Sequence, residues 1–173
     1  MVEYRRIFRL GGWYFFTQVT YERRAWLCTP AARATLHNAI ISVRDELHFV
    51  IAAWVLLPEH LHCIWQLPEG DSDYSTRWRL VRTFVTKHRH DSWMTTKKNN
   101  SRRKREEQTL WQRRFWEHTI RDDEDYRRHC DYIHYNPVKH GLCLAPRNWL
   151  YSSFHRFVKE GHYESKFGKK RIS

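Results

Sequence analysis

Long apolar runs and paired cysteines are missing from this sequence of 173 residues. No stretch approaches the roughly 18 apolar residues of a membrane-spanning helix, and no apolar signal core follows the basic start of the chain. The cysteines form no C-x-x-C pair; they are Cys28, Cys63, Cys130 and Cys143. We therefore expect free thiols, rather than a zinc knuckle or a disulfide framework, in a soluble cytoplasmic protein.

Acidic residues are also scarce. The chain has 19 Asp and Glu against 31 Lys and Arg, and its formal net charge is +12 at pH 7. Such a charge repels itself and attracts phosphates, so a polyanion is the natural partner. A merely soluble basic protein is the alternative. At this length, residues 1–173 fit one domain with a core of its own.

The hydrophobic pattern predicts alternating strands and helices. Strands are predicted at 13–20, 49–56, 60–67 and 110–120. Helices are predicted from Pro30, after an N-cap within 69–73, and from the acidic run at 122–124; Pro137 should end the last helix near Asn136. This order predicts an α+β fold. The predicted fold is a ferredoxin-like βαββαβ antiparallel sheet with helices on one face, plus an added C-terminal helix that carries Tyr132.

Residues 91–108 interrupt this pattern. The segment is rich in Lys and Arg and has little apolar content, so it cannot bury enough surface to order itself. We interpret it as a disordered basic insertion, either a nucleic-acid arm or a tolerated insertion, in which 97–105 carries most of the charge. Residues 161–173 are interpreted as a tail.

Polar and apolar residues alternate in the stretch that runs from Leu56 to Pro68. His60 and His62 fall on one face of the predicted strand and Leu61, Cys63 and Trp65 on the other. The apolar face should pack inward and the histidine face should stay open. Two neighbouring imidazoles are able to share one metal ion, although two half-exposed strand histidines are the simpler explanation.

Tyr132 and Asn136 are four residues apart on the last predicted helix, so they share one face. A tyrosine in this position is a candidate nucleophile, and the amide is a candidate metal ligand. Tyr126 and Tyr135 are rival nucleophiles by chemistry alone. A surface helix with a tyrosine and a C-terminal Asn is the alternative without function.

Three motifs together resemble one family. The segments Pro58-Glu59-His60-Leu61-His62-Cys63-Ile64-Trp65, Phe115-Trp116-Glu117-His118 and Asp131-Tyr132-Ile133-His134-Tyr135-Asn136-Pro137-Val138-Lys139-His140-Gly141-Leu142 are similar to those of the REP-associated tyrosine transposases. These enzymes belong to the HUH single-strand nucleases. The resemblance covers nearly the whole chain; the basic insertion at 97–105 and the tail from Gly161 are the parts that depart from it.

The resemblance implies a site and a reaction. The two metal histidines of the family match His60 and His62, its nucleophile matches Tyr132, and the polar helix residue that completes the metal site matches Asn136. The implied reaction is metal-dependent cleavage and rejoining of DNA at repetitive palindromic hairpins through a 5′-phosphotyrosine. Mg²⁺ or Mn²⁺ is the expected ion, although imidazole suits Mn²⁺ or Zn²⁺ better.

The expected partner is single-stranded or hairpin DNA, and the expected location is the nucleoid. We expect no membrane partner and no nucleotide cofactor. The protein is expected to be either a monomer or a homodimer. Trp78 and Trp116 are candidates for base stacking. Basic side chains predicted to contact DNA are Arg5, Arg6, Arg77, Arg82, Lys87, Arg113, Arg114 and Lys139. Two alternatives remain: a hairpin-binding regulator without chemistry, and a metal-dependent hydrolase in which Tyr132 plays no part.

Overall fold

A four-stranded antiparallel sheet forms the centre of the computed structural model, which describes residues 12–95, 100–104 and 108–164. Its strands are β1 (Trp13–Val19), β2 (Val50–Leu56), β3 (His60–Gln66) and β4 (Trp116–Thr119). They lie in the order β2-β3-β1-β4, and each neighbouring pair is antiparallel. This is the predicted ferredoxin-like arrangement.

Helices cover both faces of this sheet. They are α1 (Pro30–Glu46), α2 (Tyr74–Lys87), a short α3 (Asn100–Lys104), α4 (Asp123–Lys139) and a short α5 (Phe154–Lys159). The side chains of Thr29, Asp73 and Asp122 cap the N-termini of α1, α2 and α4, because each accepts a hydrogen bond from a backbone amide three residues on. Helices α1 and α2 pack together on one face, and α4 lies on the other.

The face under α1 and α2 holds an aromatic core. Trp65 of β3 stacks on Trp78 of α2 with ring centroids 4.1 Å apart, and Phe49 packs on Trp65 at 4.2 Å. Trp78 is only 2% exposed. It is therefore part of the core and does not stack bases.

Strand β3 is buried on both sides. Leu61, Cys63 and Trp65 join the core under α1 and α2, as the alternation predicts. The prediction that the histidine face stays open is wrong, because His60 and His62 are each 3% exposed. Helix α4 packs over that face of the strand and leaves the histidines at the bottom of a cleft.

Two predicted boundaries differ from the structure. Of the strand predicted at 110–120, only Trp116–Thr119 pairs as β4; Trp111 forms an isolated bridge to Thr20. Helix α4 passes through the expected end and continues to Lys139.

The end of α4 is set by glycine rather than by proline. Gly141 has φ +70°, its amide donates to Val138, and the amide of Leu142 donates to Pro137, which is the pattern of a Schellman motif. Pro137 has no amide hydrogen to donate within the helix, and it is buried in the last turn.

The prediction of disorder over 91–108 stays a prediction, because 96–99 and 105–107 lie outside the described residues. In the described part of the segment, Trp93 stacks on Trp26 with centroids 5.0 Å apart. Arg102, which is 5% exposed, lies over the ring of Tyr21. Of the tail, 165–173 is likewise not described. Among the described helices, none is long and apolar enough to cross a membrane.

Candidate active site

The turn between β2 and β3 places the two histidines. Its backbone is held from outside the hairpin, because the Pro58 carbonyl accepts from Leu27 and the Glu59 carbonyl accepts from both the amide and the hydroxyl of Thr20. The neighbouring strand β1 contributes Thr17, which faces His62 across the sheet. These backbone hydrogen bonds hold the turn in place, and this turn fixes where the two histidines lie.

Each histidine is oriented by a hydrogen bond at its Nδ1. His60 Nδ1 lies 3.0 Å from the Glu59 carboxylate, and His62 Nδ1 lies 2.8 Å from the Thr17 hydroxyl. A carboxylate only accepts, so His60 Nδ1 carries the hydrogen and its Nε2 keeps a lone pair. The same tautomer of His62 donates to Thr17 and leaves Nε2 able to bind a metal ion.

The two rings lie side by side with centroids 4.8 Å apart. Burial lowers the pKa of His62 to about 3, and the neighbouring positive groups act in the same direction. Burial also lowers the pKa of His60, although the Glu59 carboxylate opposes that shift. Both imidazoles are neutral at pH 7, which is the form that ligates a metal.

Helix α4 delivers Tyr132 to the same place. Its ring centroid lies 5.1 Å from that of His62, and the ammonium of Lys139 lies 5.3 Å from the ring centre. Tyr132 is 41% exposed. Of its rivals, Tyr126 is buried edge-on against Trp13, and Tyr135 does not line the cleft. Among the three tyrosines of this helix, Tyr132 is the one beside the histidines.

Asn136 lies one turn beyond Tyr132 and is 1% exposed. Neither its amide oxygen nor its nitrogen has a hydrogen-bond partner among the described residues, and the same is true of His62 Nε2. A buried amide without a partner costs free energy, so a bound group is the physical reason to keep it. Neutral imidazoles and an amide oxygen are donors that suit a divalent cation, and the assignment of His60, His62 and Asn136 as its ligands stays a prediction.

An open cleft of about 680 Å³ is lined by His60, His62 and Tyr132, whereas Asn136 is not among its lining residues. Among the described residues, its wall carries the cations Arg23, Arg128 and Lys139 and no acidic side chain. His140, whose ring centroid lies 5.1 Å from that of His60, is a further member that the sequence reasoning missed. Its spacing of four residues from Asn136 is a signal that would have indicated it. The charge of this cleft suits a phosphodiester.

Trp116 stands at the edge of this cleft on β4 and is 56% exposed. Its ring is parallel to that of His118 within 3°, with centroids 6.0 Å apart. The exposure and position of Trp116 suit base stacking, whereas Trp78 is excluded by its burial.

The eight basic side chains predicted to contact DNA have different surroundings. Arg77 does not fit this role: it is 2% exposed, and its guanidinium donates to the carbonyls of Leu47 and His48 and to Asp71. Lys139 lines the cleft. Lys87, Arg113 and Arg114 are exposed, and Arg82 is half-buried. Arg5 and Arg6 lie outside the described residues.

A second, basic groove of about 620 Å³ lies on the outer side of α2. The basic side chains that line it are Arg79, Arg82, Lys87, Arg102 and Arg113. The guanidinium of Arg82 donates to the carbonyls of Gln112 and Arg113, and burial lowers its pKa to about 10. Since Phe115 lines this groove and Trp116 lines the cleft, the start of β4 separates the two.

A third group of polar side chains, also missed from the sequence, lies beside the cleft. One potential ligand atom from each of His118, Asp125 and His129 lies within 4.8 Å of the others. Asp125 and His129 are four residues apart on α4, but His118 comes from β4, so no spacing along the chain could have indicated that it joins them.

No family model matches the chain. Two known proteins, however, are similar to it in sequence over most of its length. A REP-associated tyrosine transposase of Escherichia coli (strain K12) is 45% identical over 163 residues, which cover 94% of this chain and 88% of that protein. A Haemophilus influenzae protein named as a putative member of the same family is 42% identical over 168 residues, 97% of this chain and 94% of its own.

A solved structure gives the same result. A REP-associated tyrosine transposase bound to a REP hairpin superposes with a TM-score of 0.72 at 44% identity, over 94% of this chain and 88% of that one. The chain therefore belongs to the REP-associated tyrosine transposases.

Proposed function

We propose that this protein cleaves and rejoins single-stranded DNA beside repetitive palindromic hairpins, with Tyr132 as the nucleophile. The observation that carries the proposal is the distance of 5.1 Å between the Tyr132 and His62 rings in a cationic cleft. The relative with a TM-score of 0.72 was bound to a REP hairpin, and this supports a hairpin as the substrate here. The protein would act at the nucleoid.

The reaction exchanges one phosphate ester for another. The Tyr132 oxygen attacks the phosphorus, the bond to the 3′ oxygen breaks, and the products are a 5′-phosphotyrosine and a free 3′-hydroxyl. Because the number of esters does not change, rejoining needs no nucleotide cofactor. Lys139, 5.3 Å from the Tyr132 ring, stabilises the phenolate as it forms.

The proposed metal ligands are His60, His62 and Asn136. A bound Mg²⁺ or Mn²⁺ would neutralise charge on the non-bridging phosphate oxygens. The protein's own part is to keep both imidazoles neutral through burial and to aim them through Glu59 and Thr17. We expect cleavage with Mn²⁺ and Mg²⁺; an enzyme active only with Zn²⁺ would contradict the assignment.

We also propose that the basic groove on α2 holds the paired part of the hairpin, while the unpaired strand crosses β4 to reach Tyr132. Trp116 would stack a base at this crossing, since it is exposed at the edge of the cleft. Lys87 and Arg113 remain the proposed phosphate contacts of the groove, with Arg82 as a half-buried support, and the exposed Arg114 is a proposed phosphate contact outside the groove's lining.

The test uses a hairpin oligonucleotide that copies the palindromes flanking the gene, with a fluorophore at its 3′ end. With Mn²⁺, the wild-type chain should carry the label on a denaturing gel, because the strand downstream of the cut stays on the tyrosine. Tyr132→Phe should lose the adduct completely, and Tyr135→Phe, on the same helix but away from the cleft, should keep it.

Each other outcome identifies a competing function. Hairpin binding without an adduct in the wild-type chain would favour the regulator that has no chemistry. Strand cleavage that persists in Tyr132→Phe would favour the metal-dependent hydrolase.

A further inference from the structure

Asp125 lies between two histidines at the side of the cleft. Its carboxylate is 2.8 Å from His118 Nε2 and 3.2 Å from His129 Nδ1, and it accepts from the Arg121 amide at 3.0 Å. The residue is 2% exposed, and it joins β4 to the helix that carries Tyr132. The cleavage reaction proposed above assigns no role to Asp125 or to its two histidines.

The hydrogen bonds of His129 define its protonation pattern. Its Nδ1 lies 2.8 Å from the Asp125 backbone carbonyl as well as 3.2 Å from the Asp125 carboxylate. Both of these oxygens only accept, so Nδ1 carries the hydrogen. In the neutral imidazole, Nε2 is then a proton acceptor, and the carboxylate stabilises the imidazolium once a proton is taken up.

His129 lines the same cleft as the proposed nucleophile. It lies three residues before Tyr132, hence on the same side of α4, and both line the cleft. Both rings pack on Phe15, with centroid distances of 4.8 Å for His129 and 6.0 Å for Tyr132. Long side chains of a helix lean back over the preceding turn, which brings the phenol towards position 129.

A second metal ion at this cluster is the competing explanation, but the charges oppose it. The guanidinium groups of Arg121 and Arg128 lie 3.5 and 3.7 Å from the Asp125 carboxylate. A dication would have to share one carboxylate with both of them, and His129 would have to give up the hydrogen on Nδ1. A hydrogen-bonded Asp–His pair needs neither change.

We propose that His129, positioned by Asp125, accepts the proton of Tyr132 during attack. This inference rests on the proposed function. As the Tyr132 oxygen bonds to phosphorus, its proton moves to His129 Nε2; the bond to the 3′ oxygen breaks, and that oxygen takes a proton from water. The imidazolium then returns its proton to solvent. A tyrosine hydroxyl is a weak nucleophile while it holds its proton, so the attack needs such an acceptor.

Other titratable and charged groups share the cleft with His129, so pH dependence alone does not isolate its contribution. His118 stacks on it with ring centroids 4.7 Å apart. Arg128, Tyr132 and Lys139 line the cleft from the same helix and His140 from its C-cap, while Arg23, His60 and His62 line it from other elements. Rescue by an added base is specific to position 129.

The experiment measures adduct formation in a single turnover with saturating Mn²⁺. We expect His129→Ala to slow it by about 10²- to 10⁴-fold, the usual contribution of a general base. Added imidazole should restore part of the rate, and substituted imidazoles should restore more as their basicity rises. His155→Ala, an exposed histidine on α5, should react like the wild-type chain. His129→Asn, which keeps a donor towards Asp125, should show the same loss if the alanine variant does not fold.

Three results would overturn the inference. The first is a rate in both variants within a few-fold of wild type. The second is a slow rate that no imidazole rescues. The third is two Mn²⁺ bound per wild-type chain and one in His129→Ala, which would make the cluster a metal site. By contrast, a wild-type chain that forms no adduct would refute the proposed function itself.

Discussion

The two faces of the sheet are built on different principles. Under α1 and α2, Trp65, Trp78 and Phe49 pack ring against ring, and the face is almost wholly apolar. Under α4, the same strand places His62 against a helix that buries Asn136, and both have polar atoms without a partner among the described residues. Trp78 Nε1 on the first face also lacks a partner among the described residues, so the two faces differ in what they bury: indole and phenyl rings on the first, and imidazole and amide groups on the second.

Replacing one aromatic side chain on each face by alanine should affect different properties: stability on the first face and DNA binding on the second. Trp78→Ala removes a stacked core side chain and should destabilise the chain by about 3–5 kcal/mol in urea denaturation. Trp116→Ala should change stability by less than about 0.5 kcal/mol, because this ring is 56% exposed. Its effect should appear instead as weaker binding of single-stranded DNA, by about 1–3 kcal/mol in a titration. Equal stability losses in both variants would remove the distinction between the faces.

Asn136→Leu should separate stability from activity. Replacing a buried amide that lacks a partner among the described residues should leave stability unchanged or raise it by about 1 kcal/mol. Removal of this ligand should weaken Mn²⁺ affinity and slow cleavage by about 10- to 100-fold or more. The matched control is Asn148→Leu at an exposed site, which should change neither quantity. Lower stability with unchanged Mn²⁺ affinity would mean that Asn136 is a structural residue.

Acid should weaken the α4 face. Burial lowers the pKa of His134 to about 3, while an unfolded histidine titrates near about 6.5. Between these values the unfolded chain binds a proton that the folded chain does not. The stability that this residue contributes is therefore complete above about pH 6.5 and falls as the pH decreases, with a slope of at most about 1.4 kcal/mol per pH unit.

The check is urea denaturation of metal-free protein between about pH 7 and pH 5. His134→Gln should make the decline shallower by about one proton, and His155→Gln, on the exposed side of α5, should leave it unchanged. An identical decline in wild type and His134→Gln would show that His134 does not contribute to it.

The smallest expected effect is on the basic groove. Lys87→Ala should lower hairpin affinity uniformly across sequences and reduce the salt slope of log affinity by about 0.7–0.9 for each phosphate that is no longer neutralised. Lys159→Ala on α5, away from both grooves, is the control. Affinity that does not respond to salt in the wild-type chain would contradict the role of the groove.

The same contrast explains what the sequence could predict. The alternation around His60 and His62 was enough to predict β3 and its apolar face, because hydrophobic patterns report which side of a strand is buried. The order of strands and helices along the chain predicted the ferredoxin-like sheet. The pattern could not show that α4 closes over the histidines, since that depends on how a helix far along the chain packs.

The sequence also could not predict which groups the buried polar side chains bind. Arg77 lies four residues before Val81, on the buried stripe of α2, but the carbonyls that bind its guanidinium come from the end of α1 and the segment after it, which the sequence does not show. The cluster of His118, Asp125 and His129 also joins separate elements. The site residues His60, His62, Tyr132 and Asn136 were predicted because motifs resembling one family marked them, and only the fold shows that the Tyr132 ring lies beside that of His62.

The most direct measurement is to locate the covalent link by mass spectrometry after trapping the adduct with hairpin DNA and Mn²⁺. Trypsin separates Tyr126 from a peptide that holds Tyr132 and Tyr135, and fragmentation then distinguishes these two. The account predicts a nucleotide phosphate on Tyr132 alone. A link to Tyr126 or Tyr135, or cleaved DNA with no protein-bound phosphate, would contradict it.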